Sequence, residues 1–254
     1  MYASVWTALR QDRLLFAFQP VVCAATGRVD YFECLLRMRN LDRGIVAGGE
    51  FISTLEQLGR ISFIDNYVFE QTVRELVNYP GIRLGLNISS LTAREGAWLQ
   101  LLISRLRHRS DLARRLVVEI TETAALDDIE AAARFVDALH NTGCRVAVDD
   151  FGAGHTSLRH LQHLAVDIVK IDRSYVRNLS TSSEQQIFLR DLVDLINCFG
   201  FATVAEGVEN AEDATFVRAA GVGYLQGYHL GSPTTERAWL TMTPADRQHC
   251  IAAA

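Results

Sequence analysis

Two aspartates stand side by side at the end of an apolar run in the segment CRVAVDDFGAG, residues 144–154. Adjacent carboxylates repel each other, and a low-dielectric surrounding strengthens the repulsion. Either water solvates Asp149 and Asp150 in a loop, or a cation holds them together. One carboxylate can bridge two ions while its neighbour binds the second. The pair therefore suits two metal ions roughly 3.5–4 Å apart, the usual arrangement for in-line phosphodiester cleavage.

Polar or charged side chains stand at or near the end of nearly every strand-like run of the sequence. A single residue such as Asn87 or Gln226 is explained well enough as a strand-end side chain that points into water. Seven such strands are harder to explain in that way, because charged groups within apolar runs are costly to bury without a partner. Carboxylate and amide oxygens suit a hard cation such as Mg²⁺ or Mn²⁺. In chain order these residues are Glu33, Asn87, Glu119, Asp149 with Asp150, Lys170, Glu206 and Gln226.

The alternation of side chains along a strand predicts which of these residues share a face. In VDYFECLLRM, Glu33, Leu35 and Arg37 point to one side, and Cys34 and Leu36 point to the other. One strand can therefore offer a carboxylate together with a guanidinium suited to phosphate. The same alternation pairs Lys170 with Asp172 and Glu119 with Thr121, and it leaves Glu122 just past a strand end.

A scaffold that brings strand ends together is needed to unite these residues. Strand-like runs alternate with amphipathic helical patterns, which include DNYVFEQTVRELVNY, DDIEAAARFVDALHNTG, SEQQIFLRDLVDLINCFG and AEDATFVRAAG. Eight strands and their helices predict an α/β fold of the TIM-barrel type, with a doubly wound open sheet as the alternative. In a barrel the strand ends converge on one face, where active sites lie. The strand-like runs are LLFAFQPVV, VDYFECLLRM, IRLGLNIS, RLVVEIT, CRVAVDD, DIVKID, FATVAE and GYLQG.

Composition limits the classes of protein to which the chain can belong. Its 254 residues are 49% hydrophobic and carry a net charge of −5, which argues against a nucleic-acid polymer as partner. The five cysteines are scattered and form no CxxC pair, as expected of reduced thiols. The N-terminus lacks the pattern of a signal peptide, and no apolar run is long enough for a membrane span. We therefore expect a soluble, cytoplasmic protein.

Several segments, taken in order, resemble the EAL domain family of bacterial phosphodiesterases, which hydrolyse the second messenger cyclic di-GMP. They are FQPVV…TGRVDYFECLLR, LNIS, VEITET, VAVDDFGAGHTSLRHLQHLAVDIVKIDRSYV, VAEGVEN and YLQGYHLGSP, and they span nearly the whole chain. The resemblance implies one EAL-type domain over residues 1–254, with a core of about 13–240. It implies a modified TIM (β/α)8 barrel whose first strand is antiparallel to the others. The implied reaction cleaves one phosphodiester bond to give linear pGpG, which lowers a signal for biofilm and motility.

The resemblance also implies the ligands of two Mg²⁺ or Mn²⁺ ions, with Ca²⁺ as an inhibitor. Asp149 resembles the ligand that bridges the ions, and Asp150 resembles the ligand of the second ion, with a part in catalysis. The two ions acidify a bridging water, so that hydroxide is available near neutral pH. The first-ion ligands are Glu33, Asn87, Glu119 and Asp149.

Other positions resemble catalytic, supporting and substrate-contact residues of the family. Lys170 resembles the group that holds the water or hydroxide, and Glu206 resembles a general base or a support of the second ion. Gln226 resembles the residue that holds the catalytic water or completes the second-ion shell. Glu122 resembles the anchor of the loop that begins at Asp149. The remaining matches are the supporting carboxylate Glu209 and the substrate contacts Gln19, Leu36, Arg37, Asp172 and Pro233.

Four residues depart from the family pattern. Cys34 stands in place of Ala, which predicts a small change of packing, although a redox-sensing thiol is the alternative. Met38 stands where Trp is common, and we expect it to alter the lip of the site. His155 and Thr156 replace Tyr and Ser. His155 predicts altered coupling to a dimer partner or added pH sensitivity, and a tolerated surface change is the alternative.

The resemblance leaves three functions open. An active phosphodiesterase is favoured because every ligand-type residue is present. A receptor that binds cyclic di-GMP without cleaving it is the alternative, and metal-dependent turnover separates the two. A scaffold that binds no nucleotide is the third. The implied partners are a second copy, joined near the Asp149–Leu158 loop, and sensor or GGDEF domains of a longer parent protein.

Overall fold

A closed ring of eight strands, surrounded by helices, forms the centre of the structure. The structure is a computed structural model that describes residues 2–122, 128–152, 158–179 and 182–243. The strands of the ring are β1 Leu14–Cys23, β2 Val29–Asn40, β4 Leu84–Ile88, β5 Leu116–Thr121, β6 Arg145–Phe151, β7 Ile168–Ile171, β8 Ala202–Ala205 and β9 Tyr224–Leu225. A further strand, β3 Gly44–Ala47, forms a hairpin with β2 outside the ring.

Strand direction distinguishes this barrel from a regular TIM barrel. β1 runs antiparallel to both of its neighbours, β2 and β9. The remaining neighbouring pairs of the ring are parallel. Because the β1–β2 ladder closes the ring, the open-sheet alternative is wrong. The predicted barrel with an antiparallel first strand is confirmed.

The helices pack around the outside of the ring. The helical patterns found in the sequence form the helices Ser62–Asn78, Ile129–Thr142, Ser183–Cys198 and Ala211–Ala219, and each predicted strand lies in the ring. The short β3 was not predicted, because its apolar run, Ile45–Ala47, is only three residues long. The described helices are α1 Tyr2–Arg10, α2 Ile52–Gln57, α3 Ser62–Asn78, α4 Ser90–Glu95, α5 Ala97–Leu106, α6 Ser110–Ala113, α7 Ile129–Thr142, α8 Leu158–Leu164, α9 Ser183–Cys198 and α10 Ala211–Ala219.

Helix α7 illustrates how the sequence defines these elements. The Asp128 side chain accepts a hydrogen bond from the Ala131 N–H at the start of the helix. Gly143 ends the helix with φ +94°, a left-handed conformation that glycine adopts without strain. Between these caps, Phe135 and Leu139 are buried against the outer face of the barrel.

The barrel strands are buried on both faces, which explains their nearly continuous apolar runs. In β5, Val118 and Ile120 point outward into the main core, which lies between the ring and the helices. Val117 points inward, where a smaller apolar cluster fills the barrel. The same alternation places Cys34 and Leu36 of β2 in the outer core.

Candidate active site

A charged layer lies directly above the apolar cluster that fills the barrel. The inward-facing apolar residues are Val21, Tyr31, Val117, Ala147, Ile168 and Val204. Two residues farther along five of these strands, and therefore on the same face, the side chain is charged. These charged residues are Glu33, Glu119, Asp149, Lys170 and Glu206.

Lys170 lies at the centre of this layer and is fully buried. Its Nζ is 2.6 Å from Glu119 Oε2 and 2.7 Å from Glu206 Oε1. It is also 2.9 Å from Asp149 Oδ1 and 3.4 Å from Glu33 Oε2. One ammonium group therefore contacts carboxylates from four different strands.

The charges of this layer are not balanced. Burial raises the pKa of Glu119 to about 8, and Glu33 and Asp149 add to that shift while Lys170 opposes it. Burial alone would lower the pKa of Lys170, but the surrounding carboxylates hold it well above its ordinary value. Burial likewise raises the pKa of Glu206. A single positive charge leaves an excess of negative charge that a cation can neutralise.

The carboxylates are spaced so that they could hold two cations. Glu33, Glu119 and Asp149 offer oxygens that lie within 4.8 Å of one another, and so do Asp149, Asp150 and Glu206. Asp149 belongs to both groups. Glu119 Oε1 is buried and has no hydrogen-bond partner in the described part of the chain, as expected of an oxygen directed at an ion. Oxygen ligands of this kind fit Mg²⁺ or Mn²⁺.

Side-chain amides orient Glu33. Asn87 donates from Nδ2 to Glu33 Oε1 at 2.6 Å, and Gln226 donates from Nε2 to Glu33 Oε2 at 2.6 Å. Gln226 also lies 3.3 Å from Gln19 Oε1, and Gln19 donates to the Gly231 carbonyl at 3.3 Å. These residues are brought together from β4, β9 and β1, which the sequence places far apart.

The Asp149–Asp150 pair lies at a bulge in β6. The register with β7 shifts between Val148 and Phe151, so both aspartates are left out of the ladder with β7, whereas Asp149 still pairs with Thr121 of β5. Asp150 has φ +56°, a left-handed conformation that is uncommon for a residue other than glycine. Asp149 is half-buried and Asp150 is exposed. The bulge thus directs two adjacent carboxylates to different places.

An open groove of about 290 Å³ adjoins the charged layer. Arg37, Arg173 and Arg177 contribute guanidinium groups to it, and Tyr228 is 68% exposed at its edge. Neither Arg173 nor Arg177 nor Tyr228 was predicted from the sequence. The available signal was their position on the loops that follow β7 and β9, where barrel enzymes recruit site residues. A cavity of about 370 Å³ between β1 and α3 contains none of the charged layer.

The predicted substrate contacts fall into two groups. Gln19, Arg37 and Pro233 line the groove, together with Glu209, which pairs with Arg177 at 2.8 Å. Leu36 and Asp172 do not line it: their side chains lie respectively in the outer core and at a 3₁₀ helix over Arg173–Tyr175. Of the strand β2 leucines, it is Leu35 that lines the groove.

The domain family follows from comparison of the whole chain with known proteins. The sequence model of the EAL domain matches residues 3–233. The chain belongs to the EAL domain family. The resemblance predicted from the sequence motifs is thereby confirmed.

Relatives within the EAL family cover the same region. The probable cyclic di-GMP phosphodiesterase PdeN of Escherichia coli K12 is 31% identical in an alignment of 238 positions, which covers 90% of this chain and 45% of PdeN. The bifunctional diguanylate cyclase/cyclic di-GMP phosphodiesterase MucR of Pseudomonas aeruginosa is 29% identical, over 89% of this chain and 34% of MucR. The chain spans less than half the length of these curated relatives.

Two solved EAL structures are also similar. The PaMucR phosphodiesterase in complex with c-di-GMP has a TM-score of 0.86 and 27% identity, and the match covers 95% of this chain and 99% of that one. The FimX EAL domain from Pseudomonas aeruginosa bound to c-di-GMP has a TM-score of 0.86 and 26% identity, over 92% of this chain and 96% of that one.

The departures from the EAL pattern can be located in part. Cys34 is 3% exposed and lies in the outer core beside Thr72 of α3, as strand alternation predicted. Met38 is also 3% exposed and packs in that core, so the expected effect on the lip of the site is wrong. His155 and Thr156 lie outside the described residues. Where the chain is described, no helix is both long and apolar enough to cross a membrane.

Proposed function

We propose that this chain hydrolyses one phosphodiester bond of cyclic di-GMP to give linear pGpG, in a reaction that requires Mg²⁺ or Mn²⁺. The observation that carries the proposal is the excess of carboxylates around Lys170, directly beside a groove with three arginines. The carboxylates fit metal ions, and the guanidinium groups fit a substrate with two phosphates. Relatives named as cyclic di-GMP phosphodiesterases support this substrate.

The ligands of the ions come from the charged layer and its surroundings. When bound, the ions acidify a water molecule and stabilise the negative charge that develops on the phosphate. Asp149 would contact both ions, and Asp150 would contact the second, with Glu206 nearby. The first ion would be held by Glu33, Asn87, Glu119 and Asp149.

Lys170 and Glu206 have separate parts in the reaction. Because the pKa of Lys170 is held well above its usual value, the ammonium stays charged and adds positive charge beside the phosphate. Glu206, whose pKa is raised by burial, can accept the proton of the attacking water. Attack on phosphorus breaks one bond to a ribose oxygen, which leaves as a hydroxyl after taking up a proton.

The amides and the groove position the reactants. Gln226 and Asn87 hold Glu33 in a fixed orientation, so that its oxygens stay directed at the centre of the charged layer. Arg37 lies at the entrance of the groove on the same face of β2 as Glu33, where its guanidinium can bind a phosphate of the substrate. Leu35 and Tyr228 offer apolar and aromatic surface for a guanine base.

The larger context of the chain is part of the proposal. Because the chain spans less than half of its curated relatives, we expect sensor or GGDEF domains in a longer parent protein. We also expect a homodimer near the Asp149–Leu158 loop, part of which lies outside the described residues.

The test is to incubate the purified chain with cyclic di-GMP and either Mg²⁺ or Mn²⁺, and to separate the products by chromatography. Wild type should form pGpG, and EDTA or Ca²⁺ should stop the reaction. Asp149→Asn should form none, whereas Asp111→Asn, an exposed acid in an ion pair with Arg109, should match wild type.

A measurement of cyclic di-GMP binding beside this assay distinguishes the other two functions. Tight binding of cyclic di-GMP without pGpG under either metal would contradict hydrolysis and leave a receptor. Undetectable binding in both Ca²⁺ and Mg²⁺ would leave a scaffold that binds no nucleotide.

A further inference from the structure

Gly152, two residues after Asp150, is held on both of its backbone polar groups by side chains. Its N–H donates to Glu122 Oε2 at 2.6 Å. Its carbonyl accepts from the hydroxyl of Tyr175 at 2.7 Å. Glu122 was predicted from the sequence as the anchor of this loop, whereas Tyr175 was not.

The conformation of this segment depends on close contact with Tyr175. Gly152 has φ +97°, and a Cβ at this position would overlap the Tyr175 ring. Any side chain here would therefore have to displace the ring or the loop. The contact is tight enough for Tyr175 to fix where the chain leaves β6.

The position of Gly152 bears directly on the carboxylate of Asp150. In the ladder between β6 and β7, Val148 is the last paired residue before the bulge and Phe151 is the first paired residue after it. The Phe151 carbonyl accepts from the Asp172 N–H at 3.1 Å, so the chain is fixed again immediately after Asp150. Asp150 itself holds a left-handed φ of +56° that is unfavourable without support from its neighbours.

Tyr175 is well placed to supply that support, because it is itself fixed. It ends the 3₁₀ helix Arg173–Tyr175, in which its N–H donates to the Asp172 carbonyl at 3.1 Å. Its ring stacks on Phe188 of α9, with ring centres 5.1 Å apart and planes at 15°. The phenol therefore approaches Gly152 from a rigid base.

We propose that Tyr175 is a positioning residue for the second metal ion: by holding the Gly152 carbonyl, it keeps the Asp149–Asp150 bulge in the conformation that presents Asp150 to that ion. The inference rests on the proposed metal-dependent function. Residues that orient metal ligands from behind commonly change metal affinity by about 10- to 100-fold when they are replaced.

The test compares Tyr175→Phe with Tyr67→Phe. The Tyr67 hydroxyl donates to the Leu14 carbonyl at 3.1 Å, and this residue too is partly buried. It belongs to α3 and lines the cavity between β1 and α3, away from the charged layer. Each variant keeps the ring and loses one phenol-to-carbonyl hydrogen bond. Two readouts are taken without substrate: hydrogen exchange of the Gly152 amide in metal-free protein, and Mn²⁺ binding followed by electron paramagnetic resonance.

Tyr175→Phe should speed exchange of the Gly152 amide by about fivefold, the effect of losing one hydrogen bond. It should weaken the weaker of two Mn²⁺ binding events by about tenfold. In turnover, the Mn²⁺ concentration for half-maximal rate should rise by a similar factor, while kcat at saturating Mn²⁺ stays close to that of wild type. Tyr67→Phe should change none of these.

Unchanged exchange and Mn²⁺ binding in Tyr175→Phe would overturn the inference, and so would equal changes in Tyr67→Phe, which would indicate general loosening. A wild type that binds no Mn²⁺ would overturn it as well. If both shifts occur while wild type forms no pGpG, the positioning role stands and the proposed hydrolysis fails.

Discussion

Two clusters of buried charge lie at opposite ends of the barrel, and they differ in how their charges balance. Where β2, β4 and β6 begin, Asp30 contacts Arg83 at 2.9 Å and Arg145 at 3.7 Å. At the other end, Lys170 contacts four carboxylates from four strands. The first cluster joins one acid to two bases, whereas the second surrounds one base with four acids.

The difference indicates which cluster stabilises the fold and which one would serve the proposed reaction. A buried carboxylate between two guanidinium groups has its charge compensated, and removing that carboxylate leaves two positive charges facing each other. An excess of carboxylates opposes folding, because the carboxylates repel one another. The raised pKa of Glu119 reflects this repulsion together with burial. Groups held in an unfavourable state by the rest of the structure are concentrated at functional sites.

The largest expected effect comes from Glu119→Gln, which removes one of the excess charges and keeps an oxygen for Lys170. Residues that merely orient metal ligands cost about 10- to 100-fold, so loss of a ligand should reduce pGpG formation by more than about 100-fold. The melting temperature in EDTA, measured above pH 8 where Glu119 is ionised, should stay equal or rise, because repulsion is relieved. A large fall of that temperature would show that the charge of Glu119 is structural.

The matching change at the other cluster is Asp30→Asn. Removing the acid of a buried ion pair should lower the free energy of unfolding by about 3 kcal/mol, measured by urea denaturation. Turnover per folded molecule should be unchanged. Asp111→Asn, in the exposed pair with Arg109, is the control and should leave the urea midpoint close to that of wild type. Loss of turnover in folded Asp30→Asn would contradict the separation of roles.

The sequence predicted the charged layer better than the stabilising cluster, and the reason is periodicity. Glu33, Glu119 and Asp149 each follow an inward apolar residue by two positions, so their place near strand ends was visible in the sequence pattern. Asp30 and Arg83 are separated by 53 residues and stand where strands begin. Polar residues at strand starts are usually solvated, and only the closed ring brings these two together.

The groove was the least predictable part of the site. Arg173 and Arg177 lie on a segment without strand or long-helix periodicity, and Tyr228 follows the short strand β9. Their approach depends on packing between distant loops, which a strand pattern does not encode. Nor does alternation give the stagger of strands around the ring, which decides that Lys170 reaches four carboxylates at once.

Asp65 is a third buried acidic group, and the charges that contribute to its pKa shift include two acids, Glu56 and Glu95. Burial raises that pKa from 3.8 to about 7, although its carboxylate accepts from the Ser89 N–H. Between pH 4 and 7 the folded state thus binds a proton that the unfolded chain has released. Stability therefore falls as pH rises through this window.

Asp65→Asn should remove this pH dependence. Relative to wild type, its free energy of unfolding should increase by about 2 kcal/mol more at pH 8 than at pH 5. Urea denaturation at both pH values gives the comparison, with the exposed Asp111→Asn as control. A constant difference between the two pH values would mean that Asp65 titrates normally in the folded protein.

The smallest expected effect is that of Cys34→Ala, on the outer face of β2 directly beside Glu33. Burial raises the pKa of the Cys34 thiol well above its ordinary value, so the thiol is unreactive and Cys34 serves packing. The substitution should lower the free energy of unfolding by about 1 kcal/mol, while turnover and Mn²⁺ dependence stay unchanged. Loss of Mn²⁺ affinity would show that the two faces of the strand are coupled, and that the charged layer depends on the core behind it.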